Sequence, residues 1–304
     1  MLQKQKWTEP EVLIGGLFTF LLCTIGLALI AVFLVKLVSN SLQVALTDFL
    51  LMALGSASLA ISINCNFKQL IFSAGGVRRI NIIFCRLGFF LSGLLISIKL
   101  FAGGTSSYIR SLEEGGIVEW SSFVLLLSSS CILFLCASVT RDRAVRVIFR
   151  ALSVCAFVVG MEEMSWGQIL FRWDTPASLI SINAQGETNL HNIEFIHGHA
   201  DLFYGCTLAV IIAFSLLVKK NENSIGEGSM SELIEKLAPP KSLLVFFLPA
   251  CILILCLYLD IHEHTNGFTF KGEEEVAEML GAFGLLGYAT SKASQFAIMK
   301  RNCG

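Results

Sequence analysis

Charge is scarce in this chain. Of its 304 residues only 15% are Asp, Glu, Lys or Arg, where a soluble domain carries roughly a quarter. Set against 55% hydrophobic residues, that shortage excludes an ordinary water-facing surface. Several motifs are missing as well. There is no C-x-x-C among the ten cysteines, and Cys23, Cys131, Cys136, Cys155, Cys206, Cys251 and Cys256 sit inside apolar runs. They read as small buried hydrophobes, not as a disulfide framework or a thiolate metal site. H-E-x-x-H is absent, because His262 and Glu263 are followed by His264, Thr265 and Asn266, so no single helix supplies a zinc-protease motif. No G-x-S-x-G, P-loop or G-x-G-x-x-G is placed where it can work. Nothing marks a nucleic-acid partner. The alternating segments of a transmembrane barrel are lacking too, as is a repeat that would indicate an inverted-repeat transporter.

What the chain has is long apolar runs. Eight of them, over about 12–36, 43–63, 80–102, 119–138, 147–168, 199–218, 242–260 and 277–298, are each near the length that crosses a bilayer as a helix. Backbone polar groups in lipid must pair within their own segment, which makes these runs helices. The first follows Lys4 and Lys6 as a signal peptide would. It is too long and lacks a small-residue cleavage site, so it is read as a span. The expected fold is all-α: a polytopic integral membrane helix bundle of about eight transmembrane helices, forming a single membrane domain over 1–304.

Eight spans place both termini on one side. With the amino terminus inside, the inner segments hold Lys4, Lys6, Lys68, Arg78, Arg79, Arg141, Arg143, Arg146, Lys219, Lys220, Lys236, Lys241, Lys300 and Arg301. The outer segments hold mainly Lys36, Lys99, Arg110, Arg172 and Lys271. This asymmetry is the positive-inside pattern, so both termini are expected in the cytoplasm. The Asn-, Gly- and Ser-rich stretch 221–235, closed by Pro239 and Pro240, reads as a flexible inner loop.

The titratable groups gather elsewhere. All five histidines fall in two stretches, 162–201 and 260–278, which the same topology places outside the membrane as the candidate site. In the first, Glu162 and Glu163 are adjacent and face different ways on a helix, Glu162 toward Trp166 and Glu163 toward Gly167. Two such carboxyls raise each other's pKa, so one is expected to stay protonated and able to exchange a proton. Asp174, Thr175 and Pro176 signal a short interfacial helix over about 176–183. Asn183, Gln185, Glu187, Asn189, His191 and Asn192 then read as a packed, hydrogen-bonded plug. If helical, Glu187 and His191 pair at i, i+4, and so do His197 and Asp201, orienting an imidazole as base or ligand. In the second stretch, Asp260 and His264 share a helical face, as do His262 and Asn266. Glu273 and Glu274 suit a first helical turn, while Glu275 and Glu278 lie nearer the apolar run and are better placed for a site.

Two chemistries fit. Histidine with carboxylate oxygens suits zinc or iron, and carboxylates alone suit calcium or magnesium. The candidate ligands for zinc or another divalent metal are His191, His197, His264, Glu187 and Glu278. The metal-free alternative is general acid–base hydrolysis by Glu and His, with Glu162, Glu163, His199, His262 and Asn266 as the candidate catalytic groups. Glu162 with Glu163, then Phe195 with His199, then His262 with Asn266 resembles, in order, the motifs of CAAX-type glutamate intramembrane proteases. Gly167 stands where that family has arginine. The resemblance implies that Glu162 and the histidines activate a water and that Asn266 supports the oxyanion. A fuller pattern, E-E-M-S-W-G-Q followed by Q-G-E-T-N-L-H-N, is similar to a group of uncharacterised bacterial multi-span membrane proteins. That likeness implies a multi-pass protein of the bacterial inner membrane and no particular activity. The expected function is a membrane-embedded hydrolase or transferase acting on a lipid-linked or membrane-peptide substrate among membrane lipids. The alternatives are a proton- or metal-coupled transporter and a non-catalytic assembly subunit.

Overall fold

The apolar runs that fall among the described residues are helical, except that the run expected at 147–168 breaks at Met164–Gly167. The computed structural model describes residues 76–102, 111–112, 116–171, 173–183, 186–190, 192–218, 230–259 and 273–302. The helices, in chain order, are α1 (Gly76–Ala102), α2 (Ile117–Val139), α3 (Arg143–Glu163), α4 (Gln168–Phe171), α5 (Ala177–Ile180), α6 (Glu194–Leu217), α7 (Met230–Leu237), α8 (Leu244–Tyr258) and α9 (Glu273–Asn302). Short 3-10 turns at Ser165–Gly167 and Lys241–Leu243 precede α4 and α8. Among the described residues the only β pairing is an isolated bridge between Asn183 and Ile193. The expected runs 12–36 and 43–63 lie outside the described residues.

Among the described residues four stretches are long and apolar enough to cross a membrane: Ile117–Val139, Arg143–Glu163, His199–Leu217 and Leu233–Tyr258. Ile80–Leu95 within α1 is a shorter apolar helix. The run expected at 277–298 lies inside the 30-residue α9 and does not join that set. Its small and charged residues lower its hydropathy, and its described side chains from Val276 to Ala289 are mostly buried against protein. Large apolar side chains point outward elsewhere, as Phe89, Phe134, Phe203, Val210 and Ile252 do. Such exposure is costly in water and favourable in lipid.

The chain divides into two compact units, 83–289 and 1–82 with 290–304. Of the latter, the described residues are the start of α1 and the end of α9, where Ile80, Ser291, Lys292 and Ser294 are buried. All contacts below lie within 83–289.

α2 and α3 form a hairpin. Asp142 caps α3, accepting from the amides of Ala144 at 3.0 Å and Val145 at 3.3 Å. Arg146 donates through Nη2 to the Thr140 carbonyl at 2.9 Å, and Lys236 of α7 pairs with Asp142 at 3.2 Å. Burial pushes the Asp142 carboxyl up, but the Lys236 charge and hydrogen bond, with the two amides, outweigh it and hold the group below its ordinary value. Further along, Ser130 and Ser153 donate to each other's backbone carbonyls at 2.8 and 2.9 Å. Small residues let the two backbones approach, the usual means of association where lipid removes the hydrophobic drive.

α9 is seated by glycines. A Cβ built on Gly281 would lie 2.0 Å from the Tyr204 hydroxyl of α6. On Gly284 it would lie 2.3 Å from the Phe247 ring of α8, and on Gly287 2.6 Å from Leu243 and 2.9 Å from Phe84 of α1. Three helices therefore press side chains into one glycine-lined stripe. That stripe fixes where the first turns of α9, and their acids, come to rest.

Candidate functional site

The site begins where α3 stops. Met164, Ser165, Trp166 and Gly167 break the helix, the last three with φ of 46°, 55° and 95°. A non-glycine residue in this left-handed region costs about 1–2 kcal/mol, and here two occur in succession. Side chains hold the turn in place. Ser165 Oγ donates to Glu187 Oε2 at 2.8 Å, and the Trp166 indole N–H donates to Glu162 Oε1. The expected Glu162–Trp166 contact is thus made, but across a kink and not along a helical turn. Glu162 Oε2 accepts from the Leu190 amide at 2.6 Å, tying α3 to the loop that follows α5.

That loop is a buried polar knot around Glu187. Asn192 donates to Glu187 Oε2 at 3.2 Å and Asn189 donates to the same oxygen. Asn183 Oδ1 accepts from the Glu187 amide at 3.1 Å, and Asn183 Nδ2 donates to the Asn189 carbonyl at 2.9 Å. Gln168 adds a clasp, accepting from the Thr188 amide at 2.7 Å and donating to Thr175 at 2.8 Å. Asn183, Glu187, Asn189 and Asn192 are all buried. The described polar groups of this stretch, at Glu187, Thr188, Asn189, Leu190 and Asn192, are thus bonded to one another and to Glu162, Ser165, Gln168 and Asn183. Residues 186–190 are not helical, so the helical Glu187–His191 spacing does not apply. The expected short helix is present as α5, with Pro176 at its N-cap.

The last residue of α3 points elsewhere. Glu163 meets Glu275 and Glu278 from the first turns of α9, with one carboxylate oxygen of each within 4.8 Å of the others. Glu163 is 6% exposed, and among the described residues its Oε2 is buried with no hydrogen-bond partner. The charges acting most on Glu163 are those of Glu278, Glu275 and Glu119. Those acting most on Glu278 are Glu275, Glu274, Asp201 and Glu119. All are acidic. Two ionised carboxylates 4.8 Å apart repel by about 3–4 kcal/mol at an effective dielectric near ~20. The α9 N-terminus favours its own acids, whereas Glu163 sits at a helix C-terminus, where the dipole opposes it. A shared proton or a bound cation relieves this arrangement. The Tyr204 hydroxyl donates to the Ala277 carbonyl at 3.0 Å, bracing the turn between Glu275 and Glu278.

The expected site residues therefore separate. Glu163 and Glu278 come together, joined by Glu275. Glu162 and Glu187 belong to the turn and the knot. His199 is exposed on α6. His191, His262, His264 and Asn266, and the side chain of His197, lie outside the described residues. Ser165, Gln168 and Tyr204 were not singled out from sequence. Of the three, Tyr204 had the one visible signal, a phenol inside an apolar run, which Tyr258 and Tyr288 share. Among the described residues the convergent donors are all oxygens, which fit hard cations better than zinc. No protein-family model matches the chain, and neither a curated protein nor a solved structure matches it.

Proposed function

We propose that the chain is an eight-span protein of a bacterial inner membrane, with both termini cytoplasmic and the Glu163–Glu275–Glu278 centre as the working part of a membrane-embedded hydrolase or transferase. The observation that carries this reading is the convergence of the buried Glu163 carboxyl, whose Oε2 has no hydrogen-bond partner among the described residues, with two acids from a distant helix. Such a group holds and releases a proton where water is scarce. In the reaction, water or another hydroxyl adds to the phosphorus or carbonyl carbon of a lipid-linked or membrane-peptide substrate. Its proton passes to a carboxylate oxygen of the centre and from there to the departing oxygen or nitrogen.

The proposed orientation has support at both ends of the helices. The α2–α3 connection is bonded to α7 through Asp142 and Lys236, and Ser215 at the end of α6 donates to the Pro239 carbonyl at 3.2 Å. All four segments belong to the lysine- and arginine-rich side. The acids meet at the opposite end of α3.

The test is turnover. Purified protein in liposomes, offered a lipid-linked diphosphate or a fluorogenic membrane peptide, should cleave or transfer one of them. Glu163→Gln should lower that rate by about 10²-fold or more while its elution and unfolding temperature stay unchanged. Folded wild-type protein inert toward both classes, or equal turnover by the variant, would remove the hydrolase and transferase reading.

A further inference from the structure

We propose that Glu163, Glu275 and Glu278 bind one hard divalent cation, of the magnesium, manganese and calcium class, through oxygen ligands alone. This rests on the reading that the three carboxylates are the functional centre, and it names what that centre holds. The acids of α9 are not the argument by themselves, since an acidic first turn suits any helix. The argument is Glu163. It comes from a different helix, is buried at 6% exposure, brings one carboxylate oxygen within 4.8 Å of the α9 pair, and leaves Oε2 buried with no hydrogen-bond partner among the described residues. A buried carboxyl keeps a proton, accepts hydrogen bonds or coordinates a metal. Among the described residues every charge acting on it is negative.

The dimensions fit. A hard cation takes oxygens at about 2.0–2.6 Å, so two ligands on one ion lie no more than about twice that apart. The three oxygens already stand within 4.8 Å of one another. Glu275 and Glu278 are three residues apart and lie on one face of α9. The Tyr204 brace and the Gly281 contact fix that face against α6. Glu275 and Glu278 are half-buried, and water would fill the coordination positions that the three carboxylates leave. Three carboxylates exceed the ion's charge by one, and that excess is the proton acceptor the proposed chemistry needs.

The experiment is a Mn2+ titration of the full chain in detergent, followed by the loss of the free-ion electron paramagnetic resonance signal. Wild type should bind about one Mn2+ per chain, displaced by Mg2+ or Ca2+, with no nitrogen coupling in the spin-echo spectrum of the bound ion. Glu163→Gln and Glu278→Gln, each checked for native elution, should weaken binding by at least about tenfold, and Glu274→Gln should not. The inference is overturned by folded wild type that takes up no Mn2+, by equal binding in both triad variants, or by nitrogen coupling. The two proposals fail separately. Mn2+ uptake without turnover removes the enzyme and keeps the cation, whereas turnover without Mn2+ uptake does the reverse.

Discussion

At Ser165 one hydroxyl links a left-handed turn to a buried carboxyl. Its Oγ donates to Glu187 Oε2, and the residue sits in the left-handed region at φ 46°. Ser165→Ala should cost about 1–3 kcal/mol, the penalty for a buried carboxylate short of a donor, read as a lower unfolding temperature in detergent. An unchanged unfolding temperature would show that the knot does not need this bond. The packing counterpart is Gly284, where a methyl group would meet the buried Phe247 ring at 2.3 Å. Gly284→Ala should destabilise by about 1–3 kcal/mol through overpacking. Neither effect was legible beforehand. Serine and glycine are common in membrane helices, and nothing in E-M-S-W-G-Q announces that Ser165 and Trp166 leave the right-handed region. The sequence did show that Glu162 and Glu163 must face different ways. It did not say which would meet the knot and which the acids of α9, because that depends on the kink.

Among elements, α3 is closed at its two ends by opposite means: a capping aspartate at the start and a strained turn at the finish. The Asp142 carboxyl titrates below its unfolded value of about 3.9 because Lys236 and two amides favour its ionised form. Its contribution is therefore fully present above that unfolded value and is lost as pH falls through the native one. Asp142→Ala should cost about 0.5–2 kcal/mol at neutral pH as a lost cap. The gap to wild type should narrow as unfolding is repeated at successively lower pH near and below about 4. A constant gap would mean that the aspartate acts without its charge. Elements were the most readable level of this molecule. Runs near the bilayer length located α2, α3, α6 and α8, since in lipid length and hydropathy decide nearly everything. The helix α9 was found as an element, but its neighbours were not. Its burial comes from glycines that accept rings from α1, α6 and α8, and sequence spacing carries no information about partners across spans.

For the whole molecule, the orientation is the outcome with the widest reach. Reporter fusions after Gly186 and Gly267 should both report an extracytoplasmic position, and a cytoplasmic signal at either would overturn the proposed arrangement. The sequence placed both polar stretches on one side through the bias of Lys and Arg alone. It could not gather them into a site, because Glu163 and Glu275 are separated by two complete apolar helices. Most of the histidines that drew attention to these stretches lie outside the described residues or, like His199, are exposed. The acids of the same stretches converge.

The glycine stripe of α9 also bears on how this chain can change over time. Gly284 and Phe247 occupy one shared volume, as do Gly281 and Tyr204. Enlarging one member leaves the other as the obvious place for repair. A second-site suppressor selection begun from Gly284→Ala should return smaller residues at Phe247 in preference to changes elsewhere. The paired positions would then drift together, each constraining what the other can become.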